Sequence, residues 1–190
     1  MINIAINYYI DKFPERQAEI NECFQKNIKN SFINLIIINS QNRLKYSYYF
    51  NLLNKITNDN DINVIANADI YFDETVQLFE QLDSDTFFAL SRWDVVENGP
   101  AVHFNRPDSQ DVWAWRGKSK PIYNDFNIGV PGCDNRLAHE INKAGYKIKN
   151  PSFDIRTYHL HLTNLRNYNV KTRKEAIPGP YLTVYPEKII

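Results

Sequence analysis

The chain has 190 residues, 43% of them apolar and 23% charged, which fits one globular domain large enough to bury a core. Its 22 basic and 22 acidic residues cancel, so the chain lacks the basic footprint of a nucleic-acid binder. The two cysteines, Cys23 and Cys133, stand far apart in no ligand spacing and point to neither a disulfide framework nor a zinc site.

Residues 2–9 (INIAINYY) are rich in β-branched and aromatic side chains and predict a first strand. The N-terminal run passes straight into DKFPER with no long apolar core, so a leader peptide is not expected and a cytoplasmic protein is. No window approaches the roughly 18 apolar residues of a membrane span. Pro14, with Glu15 behind it, opens a helix over 14–30 whose stripe is Ile20, Cys23, Phe24 and Ile28. The run FINLIII at 32–38 is short and apolar and predicts a strand of the buried kind. Leu44, Tyr48, Leu52, Leu53 and Ile56 make a second helical stripe over 44–57, and INVIAN at 62–67 is a third strand. This β-α-β-α-β order predicts a mixed, mainly parallel sheet flanked by helices.

Residues 74–82 read as a short helix and 86–91 as a strand. Residues 94–125 are polar, carry Pro, Gly and Trp, and have no clear period, which is the signature of a long functional loop. A helix over 134–144 ends at Gly145, and short strands follow at 146–149 and 153–161. The expected division is one domain over 1–168 with a tail, 169–190, acting as a lid or packed extension.

Four segments carry chemistry. Asn67-Ala68-Asp69, with Asp73 beyond it, follows the third strand at the carboxyl edge of the sheet, where open α/β sheets bind ligands. Carboxylate oxygens there suit a hard cation and a diphosphate; equally, Asp69 and Asp73 can cap the next helix. His159 and His161 share one face of a strand and can complete a metal site, which favours Mn²⁺ over Mg²⁺, or can simply be packed histidines. Asp134, after Gly132-Cys133, is either a helix cap or a general base for a hydroxyl, with Asn135 beside it to bond a sugar. Asp111, Trp113 and Trp115 in the long loop have the composition of a sugar-contacting surface; the alternative is that the indoles pack the loop onto the body. Arg92 can be buried against Asp94 or Asp111, Arg43 lies at a strand-to-helix turn on the ligand edge, and Arg166, Lys171, Arg173 and Lys174 can neutralise a diphosphate.

Taken in order, these segments resemble the GT-A superfamily of sugar-nucleotide glycosyltransferases over about residues 1–168. The phrases NADIYFD, QDVW, GCDN and HLH are similar to those of small glycosyltransferase domains of large algal viruses and bacterial polysaccharide clusters. The resemblance implies a Rossmann-like GT-A fold and transfer of a sugar from a nucleotide-diphosphate donor, such as a UDP-sugar, to a glycan or other hydroxyl acceptor. It maps the metal-binding acidic motif onto Asn67 and Asp69, with Asn in place of the first Asp. It maps the base onto Asp134, implying inversion, and the late metal ligand onto His161, with His159 as the alternative. On this reading residues 7–9 (Asn7, Tyr8 and Tyr9) and Arg43 line the base and ribose, and Arg92, Asp111, Trp113, Asn135 and Arg166 complete the donor site. Residues 94–120 would order over the donor, and a further domain or subunit could supply acceptor contacts. Two rival expectations are a metal-dependent phosphohydrolase and a non-catalytic nucleotide-sugar-binding module.

Overall fold

The computed structural model describes residues 1–163, 165 and 176–189. Its main sheet is built from β1 (Ile2–Tyr8), β2 (Asn34–Asn39), β3 (Ile62–Ala66), β5 (Thr86–Leu90), β8 (Val112–Arg116) and β9 (Lys147–Lys149), in the order β2-β1-β3-β8-β5-β9. A second sheet has the order β4-β10-β6-β7, from β4 (Ile70–Phe72), β6 (Trp93–Asp94), β7 (Val102–His103) and β10 (Thr157–His159). Helices α1 (Pro14–Lys29), α2 (Tyr46–Ile56) and α3 (Cys133–Lys143), with a 3₁₀ helix at Glu74–Gln81, complete the elements. The fold is therefore mixed α/β. Among the described residues no helix is long and apolar enough to cross a membrane.

β1 runs parallel to β2 and β3, so the crossovers through α1 and α2 follow the predicted order. Within the main sheet β8 alone runs antiparallel, between β3 and β5. Each strand of the centre is apolar on both faces. Ala5, Ile65, Phe87, Trp113 and Trp115 meet α2 and α3 in one core cluster. Ile4, Ile6, Val64, Phe88, Val112 and Ala114 meet Phe24 of α1 and Val76 and Phe79 of the 3₁₀ helix in the other.

β8 corrects the sequence reading of 94–125 as one long loop. Val112 and Ala114 face one side and Trp113 and Trp115 the other, all fully buried, so the strand has no polar alternation to betray it. A segment at the middle of the main sheet cannot order over a donor as a lid. The expected stripe of α1 is also rotated. Its buried residues are Arg16, Glu19, Ile20, Cys23 and Asn27, while Ile28 is 51% exposed. Strand 153–161 shrinks to β10, and the tail residues 176–189 lie packed rather than loose. Ile177 N donates to Pro131 O, Leu182 N to Asn135 O and Val184 N to Pro107 O.

A candidate cation site beside a buried carboxyl

Asp69 lies in the turn that leaves β3 and enters β4, and His159 reaches it from far along the chain. The second sheet makes this meeting. β10 pairs antiparallel with β4, setting His159 opposite Ile70, and parallel with β6, setting His159 opposite Asp94. Leu160 N then donates to Asp69 O at 3.0 Å, fixing the strand end to the turn. Asn27 of α1 holds the other edge of β4, donating to Ile70 O at 2.8 Å and accepting from Phe72 N at 3.1 Å.

The ligand-capable atoms of Asp69, His159 and His161 lie within 4.8 Å of one another, a group that could hold a metal ion. Both histidines therefore meet Asp69, where the sequence reading set one against the other. Asp69 Oδ2 faces His159 Nε2 at 3.2 Å and pairs with Arg16 Nη2. Asp69 Oδ1 is buried without a hydrogen-bond partner in the structure. An orphaned carboxylate oxygen is costly unless something satisfies it, and a cation between Asp69 and the imidazoles would do so. A donor set of one carboxylate and two imidazoles suits a divalent metal ion.

The charges agree with this arrangement. Asp69 resists the upward pull of burial because His159 and Arg16 stand beside it, and its carboxyl is held well below the usual range. Burial opposes charge on His159, but Asp69 and Asp94 outweigh it and push the imidazole up to about 9. Burial, followed by the Arg16 cation, lowers His161 instead, so its ring stays neutral with Nε2 against Leu165 O at 2.8 Å.

From this group an ionic chain runs across the sheet edge. His159 Nδ1 meets Asp94 Oδ1 at 2.8 Å, and Arg92 Nε donates to the same oxygen at 2.7 Å. Arg92 Nη1 donates to Asp111 at 3.0 Å, and Asn67 Nδ2 to the other oxygen of Asp111, also at 3.0 Å. Arg92 thus pairs with both of its predicted partners. Asp111 leads to Asp134, whose carboxyl is pushed up to about 7, first by burial and then by the Asp111 charge. Its bond from Gln110 N, 3.3 Å long, and the backbone N–H groups at the start of α3 pull the other way without offsetting the burial. A carboxyl that titrates near neutrality can accept a proton from a hydroxyl.

Other predicted site residues take different places. Trp113 is wholly buried, with Tyr46 edge-on at 6.3 Å, and offers a sugar no surface; the expectation of a sugar contact is corrected to a core residue. Tyr8 points to α1, its ring tilted against Phe24 at 4.8 Å and its hydroxyl donating to Asn21 at 2.6 Å, so it does not face the ligand edge. Its neighbour Tyr9 does, within electrostatic reach of Asp69, Arg16 and Arg43. Asn7 spends its amide on Ser40, donating to its carbonyl and accepting from its N–H at 3.0 Å each. It thereby anchors the loop that carries Arg43, whose guanidinium donates to Gly129 O. Asn135 is turned to the tail and donates to Leu182 O at 3.4 Å. Asp73 is the cap of the 3₁₀ helix, accepting from Thr75 N at 2.9 Å, whereas Asp69 caps nothing. Arg166, Lys171, Arg173 and Lys174 lie outside the described residues.

Arg16 is the site residue that sequence reasoning missed. It is buried, donates to Glu19 at 2.6 Å and to Leu160 O at 2.8 Å, and pairs with Asp69. The signal was its spacing: Arg16 falls on the stripe of Ile20, Cys23 and Asn27, where a charge must find a buried partner. The cysteines carry no nucleophilic chemistry here. Burial and the neighbouring Asp134 push the Cys133 thiol up to about 12, and burial raises that of Cys23 further. No protein-family model matches the chain, and no curated protein matches it.

Proposed function

We propose that this protein is a cation-assisted glycosyltransferase that moves a sugar from a nucleotide-diphosphate donor to a hydroxyl acceptor. The observation that carries the reading is a division of labour at one sheet edge. A carboxylate and two imidazoles form a cation-capable group, and a separate carboxyl poised near neutrality is linked to it through Asp111 and Arg92. Group transfer from a diphosphate needs both: neutralisation of the leaving phosphates and removal of a proton from the attacking oxygen.

Asp69, His159 and His161 would hold the cation, which supplies Lewis-acid stabilisation of the diphosphate when bound. Asn67, fixed by Asp111, presents a polar group beside the donor ribose. Asp134 takes the acceptor proton as the hydroxyl oxygen bonds to the anomeric carbon and the bond to the diphosphate breaks, which inverts that carbon. Tyr9 and Arg43 flank the nucleotide. Burial of Asp134 raises its proton affinity in the direction this role requires.

The test is thermal stabilisation by UDP-, GDP-, dTDP- and CMP-linked sugars, with and without Mn²⁺. A donor at 100 times its Kd raises stability by about 2.7 kcal/mol. A Mn²⁺-dependent shift with one nucleotide class, absent in Asp69→Ala, is the expected result. Absence of a shift with every nucleotide sinks the proposal, and release of free sugar or phosphate at the same rate with or without acceptor makes the protein a hydrolase.

A further inference from the structure

Asp94 has no part in the reaction as proposed, yet its placement is tightly constrained. It stands opposite His159 in the β6–β10 register and meets Nδ1 of that ring at 2.8 Å. The contact turns Nε2 of the same ring to Asp69 Oδ2, 3.2 Å away. Arg92 holds the Asp94 oxygen from the other side at 2.7 Å, and its guanidinium is itself fixed by Asp111 at 3.0 Å and by the Phe104 ring at 4.0 Å. An imidazole nitrogen binds a cation through its lone pair, and which nitrogen keeps the lone pair is decided by the partner of the other.

Building on the cation site proposed above, we infer that Asp94 is its positioning residue. It keeps the proton of neutral His159 on Nδ1 and leaves Nε2 free for a divalent cation beside Asp69. Arg92 is the clamp that stops Asp94 from rotating away. Asp94 touches neither donor nor acceptor; it acts through His159.

Two measurements on the full chain test this. The first is calorimetric titration of wild type, Asp94→Ala and Asp94→Asn with Mn²⁺ alone. Asp94→Ala should weaken Mn²⁺ binding about 10–100-fold, the usual effect of losing such an outer carboxylate. Asp94→Asn keeps an acceptor oxygen and should lose less. Wild-type Mn²⁺ affinity in Asp94→Ala overturns the inference while leaving the cation site standing. Failure of wild type to bind Mn²⁺ overturns the cation site itself, and the inference with it. The second is the nitrogen-15 spectrum of metal-free wild type in buffer alkaline enough to bring His159, whose imidazolium proton is held up to about 9, to its neutral form. It needs no variant to fold. The His159 proton should sit on Nδ1, and a proton on Nε2 overturns the inference.

Discussion

At the residue scale, Asp134 and His159 share one pH signature, a loss of stability as pH rises, from different causes: burial and the Asp111 charge raise the carboxyl, whereas Asp69 and Asp94 raise the imidazole against the pull of burial. The unfolded Asp134 carboxyl titrates near its ordinary value of 3.8, and the folded one near 7. Between those values the native state holds the extra proton, so stability falls as pH rises through the window. Asp134→Asn should flatten that fall and melt at a higher temperature than wild type above pH 7, while donor binding persists and transfer is lost; thermal melts across pH, with turnover assays, check all three. His159 is raised from 6.5 to about 9, so its stabilisation is full below 6.5 and disappears as pH climbs through 9. A cation at Nε2 must displace its proton. Mn²⁺ affinity should therefore rise about tenfold per pH unit on approaching 9, a slope that titrations at several pH values would read. Asp69 and His159 were legible from the sequence as a strand-end carboxylate and a strand-borne imidazole pair. Arg16 was not, because a lone Arg in the first turn of an amphipathic helix reads as solvated until its place on the buried stripe is counted.

At the scale of elements, the start of α3 depends on Gly132. Its φ of 81° lies in the left-handed region, and a Cβ there would sit 2.8 Å from Ile177 O and 2.9 Å from the Tyr181 hydroxyl. Gly132→Ala should cost at least about 1–2 kcal/mol for the backbone alone and loosen the tail, with faster amide exchange at Ile177 and Leu182 as the readout. Trp113 belongs to this scale too. Its replacement by Ala should cost about 3–5 kcal/mol, as for other fully buried large side chains, where a sugar-contacting role would have lowered donor affinity and spared stability. The helices and outer strands were readable because their hydrophobic period is regular and Pro14, Gly132 and Gly145 punctuate them. β8 was not readable, since a strand buried on both faces carries no alternation, and the two-residue strands β6 and β7 are too short for any period.

At the scale of the whole molecule, distant segments are joined by a few buried polar groups rather than by the apolar core alone. Asn150 is fully buried; it accepts from Ser91 N at 3.0 Å and donates to Ser91 Oγ at 2.9 Å and Val184 O at 3.0 Å. Asn150→Ala leaves both backbone groups of its partners without their bond and should cost at least about 2 kcal/mol, measured by denaturant unfolding. The sequence order of strands and helices gave the α/β class, because local periods decide local elements. The second sheet was beyond it: β10, at Thr157–His159, pairs with β4 at Ile70–Phe72 and β6 at Trp93–Asp94, far back along the chain, and such pairings leave no local mark.

The central position of β10 also has a consequence in time. Its three residues enter a sheet between partners made much earlier in the chain, so His159 and His161 arrive at Asp69 only when that insertion is complete. Contacts of such sequence separation are slow to form, since a long loop must close before they contribute. A ribosome-bound chain that has already folded β1 to β3 thus displays the carboxyl edge of those strands but not the cluster of Asp69, His159 and His161. Whatever ion or proton the cluster takes up would be a marker of finished folding, seen in refolding kinetics as a final phase that precedes ion uptake and never follows it.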